Sequence, residues 1–212
     1  MAVVMLGIAI ALGMWQVERL HWKTRLLAEI DTAERSPPVA LPAWPTPFEK
    51  VEVRGHFRDD LSAHYGSEVR STATGALIGS HLLTPLERAG AAPLLVDRGW
   101  LPDGAPVPPS ADEVTVVGYV RAAEAANWLQ PGADLPARRF WSLDPAAIGH
   151  ALGLPEVAPF TLVALGTGGV PQPVSALPRP PNDHLGYALT WFGLALCLVV
   201  VFAAFVRRTL RP

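Results

Sequence analysis

His184, Tyr187 and Trp191 fall at i, i+3 and i+7, so on a helix one imidazole and two aromatic rings share a face. Neutral imidazole is a good axial ligand for haem iron, and an apolar, aromatic-lined site at a bilayer edge suits a lipophilic porphyrin. The same spacing suits an interfacial histidine that hydrogen-bonds headgroups or helps to cap the helix, and spacing alone favours that simpler role. The remaining histidines, at positions 21, 56, 64, 81 and 150, form no i,i+4 pair on an expected helix and no H-E-x-x-H. His56, His64 and His81 could converge across strands, although dispersal over the surface is the expectation. The one cysteine, Cys197, excludes an intramolecular disulfide and CxxC thiol chemistry. No G-x-S-x-G elbow, P-loop or G-x-G-x-x-G occurs; Gly166-Thr167-Gly168-Gly169 precedes prolines instead of a helix and reads as a turn. The sequence therefore offers no catalytic constellation.

A second stretch carries residue types that favour interfaces. Val96-Asp97-Arg98-Gly99-Trp100-Leu101-Pro102 ends an expected strand with an arginine, a glycine and a large aromatic. Two readings stand: a turn with Trp100 tucked into the core, or a tip in which Arg98, Gly99 and Trp100 touch headgroups or a partner. Arg138-Arg139-Phe140-Trp141 is similar and more ambiguous.

Two apolar segments must position these residues. Residues 185–206 run for 22 positions without a formal charge. At 1.5 Å per residue that is about 33 Å of helix, enough to cross a bilayer's hydrocarbon core. Asn182 or Asp183 can cap it, Pro180-Pro181 stops it from starting earlier, and Arg207, Arg208 and Arg211 end it. Residues 1–15 are uncharged but span only roughly 22 Å, so a crossing must extend to residue 20, with Trp15 and Trp22 as an interfacial belt. A signal peptide would need a basic start and an A-x-A site, and neither is present, which favours the anchor. Ala9 and Gly13 form a small-xxx-small pair, and Gly186, Thr190, Gly193 and Cys197 form a stripe through which the two anchors could pack. That packing would leave the face of His184, Tyr187 and Trp191 free.

Helical spacing continues from residue 20 to about 35 and ends at Pro37-Pro38, and residues 36–45 form a proline-rich linker. Beyond it the texture is β. Val51 and Val53 alternate with Glu52 and Arg54, and further strands are expected at 62–65, 76–83, 93–97, 114–120, 140–142 and 160–164. One short helix is expected over 145–152, with Asp144 as N-cap and Gly153 as the stop. The expected architecture is an α+β membrane protein: two transmembrane helices flanking one β-rich exoplasmic domain, residues 46–178, built as an antiparallel sheet or small barrel. Half the residues are hydrophobic and 17% are charged, below the globular average of about 25%. A net charge of −2 makes nucleic acid an unsuitable partner. Charge counting is split, since Arg19, Lys23 and Arg25 pull the start of the long loop inward. The arginines of the short tail after the last helix carry more weight, so both termini are expected in the cytoplasm and the central domain outside.

Three ordered motifs carry a resemblance. Leu12-Gly13-Met14-Trp15-Gln16-Val17-Glu18-Arg19 with Trp22-Lys23 resembles the L-G-x-W-Q-x-x-R-x-x-W-K opening of the Surfeit locus protein family. Pro85-Leu86 with residues 96–102 resembles its T-P and V-N-R-G-W/F-V-P segments, Asp97 standing where Asn is common. Asn182-Asp183-His184-Leu185, Tyr187 and Thr190-Trp191-Phe192-Gly193-Leu194 resemble its N-x-H-L-x-Y…T-W-Y/F-G-L close. The resemblance spans essentially the whole chain. It implies a cytochrome c oxidase assembly factor, not an enzyme, in the inner (plasma) membrane with a periplasmic central domain. It further implies handling of haem a for insertion into oxidase subunit I, with His184 linked to the haem. Subunit I, the haem a synthase and membrane lipid are the implied partners. The rival roles are a scaffold that stabilises an oxidase intermediate without binding haem and a membrane-tethered periplasmic enzyme.

Overall fold

Alternation of apolar and polar residues in the centre of the chain resolves into strands, and the two uncharged runs resolve into helices. The computed structural model describes residues 1–72 and 75–210. Its helices are α1 (Ala2–Arg35), α2 (Pro145–Ala151) and α3 (His184–Thr209). The strands are β1 (Val39–Ala40), β2 (Lys50–Phe57), β3 (Ala63–Thr72), β4 (Gly75–Arg88), β5 (Ala91–Pro102), β6 (Val114–Ala122), β7 (Arg139–Phe140) and β8 (Phe160–Ala164). Two compact units result: Met1–Thr32 with Pro178–Pro212, and Ala33–Leu177.

The second unit is a closed barrel with additions. β2 runs antiparallel to β6, β6 antiparallel to β8, β8 parallel to β5, and β5 antiparallel to β4. β4 then returns to β2 through His56↔Glu87 and Phe57↔Leu86, which closes the circuit. β3 extends the sheet as a hairpin partner of β4, and β7 lies parallel to β3. Gly55 sits at the closure, where a Cβ would collide with the Glu87 carbonyl and Leu86, so the crossing strands require a glycine there.

The pleat of β2 turns Val51 and Val53 inward, where they meet Leu86, Leu94, Val96, Val120, Ala158 and Leu162 in the barrel core. A second cluster, Ala63, Leu83, Leu95, Phe140, Leu143, Ile148 and Leu152, seats α2 against the sheet. That helix starts as expected. The Asp144 carboxylate accepts from Ala146 N and Ala147 N, Pro145 occupies the first turn, and Gly153 takes φ 77° just beyond the end.

Two features differ from the sequence reading. The proline-rich segment contributes β1, whose Val39 and Ala40 pair in parallel with Val51 and Glu52. The hairpin of β3 and β4 reaches well beyond 62–65 and 76–83, because its outer part continues the ladder by pairing Glu68 to Thr72 with Gly75 to Gly79. Val69 and Ile78 stay exposed there, so no buried face writes itself into the pattern.

In the helical unit α1 and α3 are antiparallel, since Thr24 meets Asn182, Gln16 meets His184 and Gly13 meets Phe192. Both helices are long and apolar enough to cross a membrane. Their sheltered residues lie on single seams: Ala9, Gly13, Gln16 and Ile30 on α1, and Ala188 and Ala195 on α3. His184 and Trp191 are half-buried on the same α3 seam at heptad spacing, whereas Gly186, Thr190, Gly193 and Cys197 are all exposed. The expected small stripe of α3 is therefore not the packing face. Gly13 makes room for the Phe192 ring, so a small residue on one helix receives a large one from the other.

Candidate functional site

The chain enters α3 through prolines, which keep it extended until Asp183. Asp183 holds the N-cap position but its carboxylate makes no capping bond, and His184 is the first residue of the helix. At that position the imidazole points across to α1, where its Nδ1 lies 2.7 Å from Gln16 Oε1. Gln16 is only 9% exposed on an otherwise apolar seam, and a buried amide in such surroundings must find a partner. An amide oxygen only accepts, so Nδ1 carries the proton and donates. Nε2 has no protein partner among the described residues and keeps its lone pair.

Two residues upstream, Asn182 Nδ2 donates to Thr24 Oγ1 at 3.3 Å, and Arg179 pairs with Asp31 at 2.7 Å. The segment from Arg179 to His184 is thereby tied to α1 at three levels. Trp191 shares the seam with His184, while Tyr187 lies on a flank and is 58% exposed. The face carrying His184 is thus not free of the partner helix, contrary to expectation, because the imidazole itself supplies a contact to it.

The second expected site takes another form. Trp100 is 5% exposed, its Nε1 donates to the Glu68 carbonyl, and Arg70 lies over its ring at 5.2 Å. Its backbone exchanges two 2.8 Å bonds with Gln172. Gly99 takes φ 114° against the Gln172 and Pro173 backbone, a conformation and a clearance that only glycine offers. Arg98 stacks on Phe57 at 4.6 Å and bonds Asp59 at 2.8 Å; Asp59 also accepts from Ser110 N and Oγ. Trp100 is thus buried and Arg98 half-buried, and the partners of both side chains lie inside the unit, so the stretch is not an exposed tip. Arg138 and Arg139 are likewise engaged, with the Asp60 carbonyl and with Asp103.

The histidines of the barrel do not converge. His56 is exposed. His64 Nδ1 lies 2.9 Å from the buried Ser80 hydroxyl, and burial, then the Arg139 charge, push its pKa down. His81 Nδ1 meets both Asp97 oxygens at 3.0 and 2.9 Å, and its Nε2 faces Glu68 at 3.4 Å. Burial alone would lower the His81 pKa, but the Asp97 and Glu68 carboxylates overcome it and raise it. Among the described residues no three His, Cys, Asp or Glu side chains group to hold a metal ion. Sequence reasoning missed the Gln16–His184 and His81–Asp97 pairs. The available signal was a polar residue at a seam or strand-interior position, which demands a partner.

Fold and site together define a class: a β-barrel unit inserted between two antiparallel candidate membrane helices, with a glutamine-bound histidine at the head of the second. The profile of the SURF1 family matches residues 3–196, and the chain belongs to that family. It is similar to a SURF1-like protein of Rickettsia conorii, 28% identical over 95% of this chain and 88% of the relative. It is also similar to Surfeit locus protein 1 of Mus musculus, at 31% identity over 95% of this chain and 73% of the relative. The protein of the same name from Homo sapiens is 30% identical over 95% and 75%.

Proposed function

We propose that this chain is an assembly factor for a haem-copper terminal oxidase, acting without catalysis of its own and presenting haem a to subunit I, with His184 as an axial ligand to the iron. The observation that carries the reading is His184 Nε2, a lone pair without a partner among the described residues at the head of a candidate membrane span, on a ring whose other nitrogen is already bonded. Haem iron needs one neutral imidazole nitrogen from this side chain, and the arrangement offers one. Trp191 on the seam and the exposed Tyr187 ring supply aromatic surface within a turn or two of it. Membership of the family adds support, since the resemblance of the three motifs implies an oxidase assembly role. In this reading the helices sit in the inner membrane and residues 46–178 lie in the periplasm, where lipid and nascent oxidase are the partners.

The test is the absorption spectrum of protein purified from cells that make haem a. Wild-type protein should show a Soret band that His184→Ala loses or shifts, and Trp191→Ala should weaken haem retention without abolishing ligation. Oxidase from the His184→Ala strain should be scarce or haem-deficient. An unchanged spectrum and haem content in His184→Ala would refute the assignment.

A further inference from the structure

Gln16 is the one buried polar residue of α1, and it stands in line with Ala9 and Gly13 on a seam that otherwise holds small or apolar side chains. A seam of this kind packs without an amide, and placing one there is unfavourable unless it is hydrogen-bonded. Helix-to-helix tethering is already provided outside the apolar stretch by Thr24 with Asn182 and Asp31 with Arg179. The bond from His184 Nδ1 to Gln16 Oε1, at 2.7 Å, does something those contacts do not. It selects one tautomer of the imidazole and fixes the plane of its ring. Metal-ligating histidines are held in this way, with the distal N–H given to a carbonyl or carboxylate so that the other nitrogen faces the metal with a fixed lone pair.

We infer that Gln16 is the positioning residue for His184: it holds the Nδ1–H tautomer and so makes Nε2 the iron-ligating nitrogen. This rests on the haem reading of His184. Asparagine would be one methylene short of the ring, and leucine would fill the seam but leave the imidazole free to rotate and to protonate at either nitrogen. Glutamate would preserve the acceptor and strengthen it, pushing electron density toward Nε2.

The experiment uses the full chain in detergent, as wild type, Gln16→Leu, Gln16→Glu and His184→Ala, with haemin as the probe. Side-chain ¹⁵N spectra of the haem-free protein should show Nδ1 protonated and Nε2 unprotonated in wild type and Gln16→Glu, and a mixture in Gln16→Leu. Haemin titrations should give an affinity lower by about 10- to 100-fold in Gln16→Leu, with a histidine-type Soret band retained. Gln16→Glu should restore most of that affinity and lower the midpoint potential of the bound haem. A seam residue with only a packing role would leave tautomer and potential unmoved in both variants. If His184→Ala binds haemin like the wild type, the haem reading and this inference fall together. If binding depends on His184 while Gln16→Leu keeps the wild-type tautomer and affinity, the positioning role alone is overturned.

Discussion

His81 is enclosed by acceptors: Asp97 on one nitrogen, Glu68 on the other, with its side chain 20% exposed and that of Asp97 2% exposed. Its pKa is raised in the fold, so the protonated ring is the stabilising form. The contribution is complete below the unfolded value, near ~6.5, and is lost as pH rises through the higher folded value. Replacing Asp97 with Asn should keep the bond that Gly99 N donates at 2.9 Å but remove the charge. The expected loss is about 1.5–3 kcal/mol at pH 6, shrinking at pH 9. Urea melts at the two pH values, with an NMR titration of His81, check this, and equal losses at both would refute it. Trp100 lies in the same stretch as Asp97. Trp100→Ala should destabilise the unit by about 3–5 kcal/mol, a large share of a domain's stability, and lower the amount of protein recovered. Normal abundance with impaired oxidase assembly would instead restore the docking role that the V-D-R-G-W stretch suggested.

At the scale of elements, what could be read in advance was whatever one stretch encodes by itself. Asp144-Pro145 and Gly153 carry the start and stop of α2 in their own chemistry, and the alternation at Val51 and Val53 marks β2 without reference to any other strand. The closure of β4 onto β2 was not legible, because it depends on a glycine at position 55 meeting a carbonyl 32 positions further along the chain. The helix seam failed for the same reason. Both anchors carry small-residue stripes, but which stripe packs is decided by Phe192 finding Gly13 and His184 finding Gln16. His184 was singled out by spacing, whereas its partner lies 168 residues away and spacing could not show it. The seam predicts an asymmetric response. Gly13→Leu should displace the Phe192 ring, an overpacking change worth about 1–3 kcal/mol, and Phe192→Ala in the same chain should recover part of it. Gly193→Leu should be silent, since Gly193 faces outward with open space at its Cβ. Disulfide formation between Thr24→Cys and Asn182→Cys, in a Cys197→Ser background, reports on the pairing. It should fall in Gly13→Leu and hold in Gly193→Leu; the reverse order would contradict the seam.

For the whole molecule the antiparallel helices reduce topology to a single choice. Their pairing puts residue 1 and residue 210 at one end of the helical unit and residues 32 and 178 at the other. Basic residues decide which side is which. Arg207 and Arg208 close α3, while Arg211 lies outside the described residues. Against them stand Arg19, Lys23 and Arg25, which flank a long connection. Charge bias acts through short loops and tails, and connections longer than ~60 residues are translocated largely regardless of their charge. On that ground the topology we propose follows the short arginine-bearing tail, which predicts both termini cytoplasmic and residues 46–178 outside. Alkaline phosphatase fused at Gly104 should be active and the same enzyme fused at the C-terminus inactive, with a cytoplasmic reporter giving the opposite pattern. Activity at the C-terminus with none at Gly104 would invert the topology. His184 would then face the cytoplasm, and haem would have to be presented to the oxidase from that side.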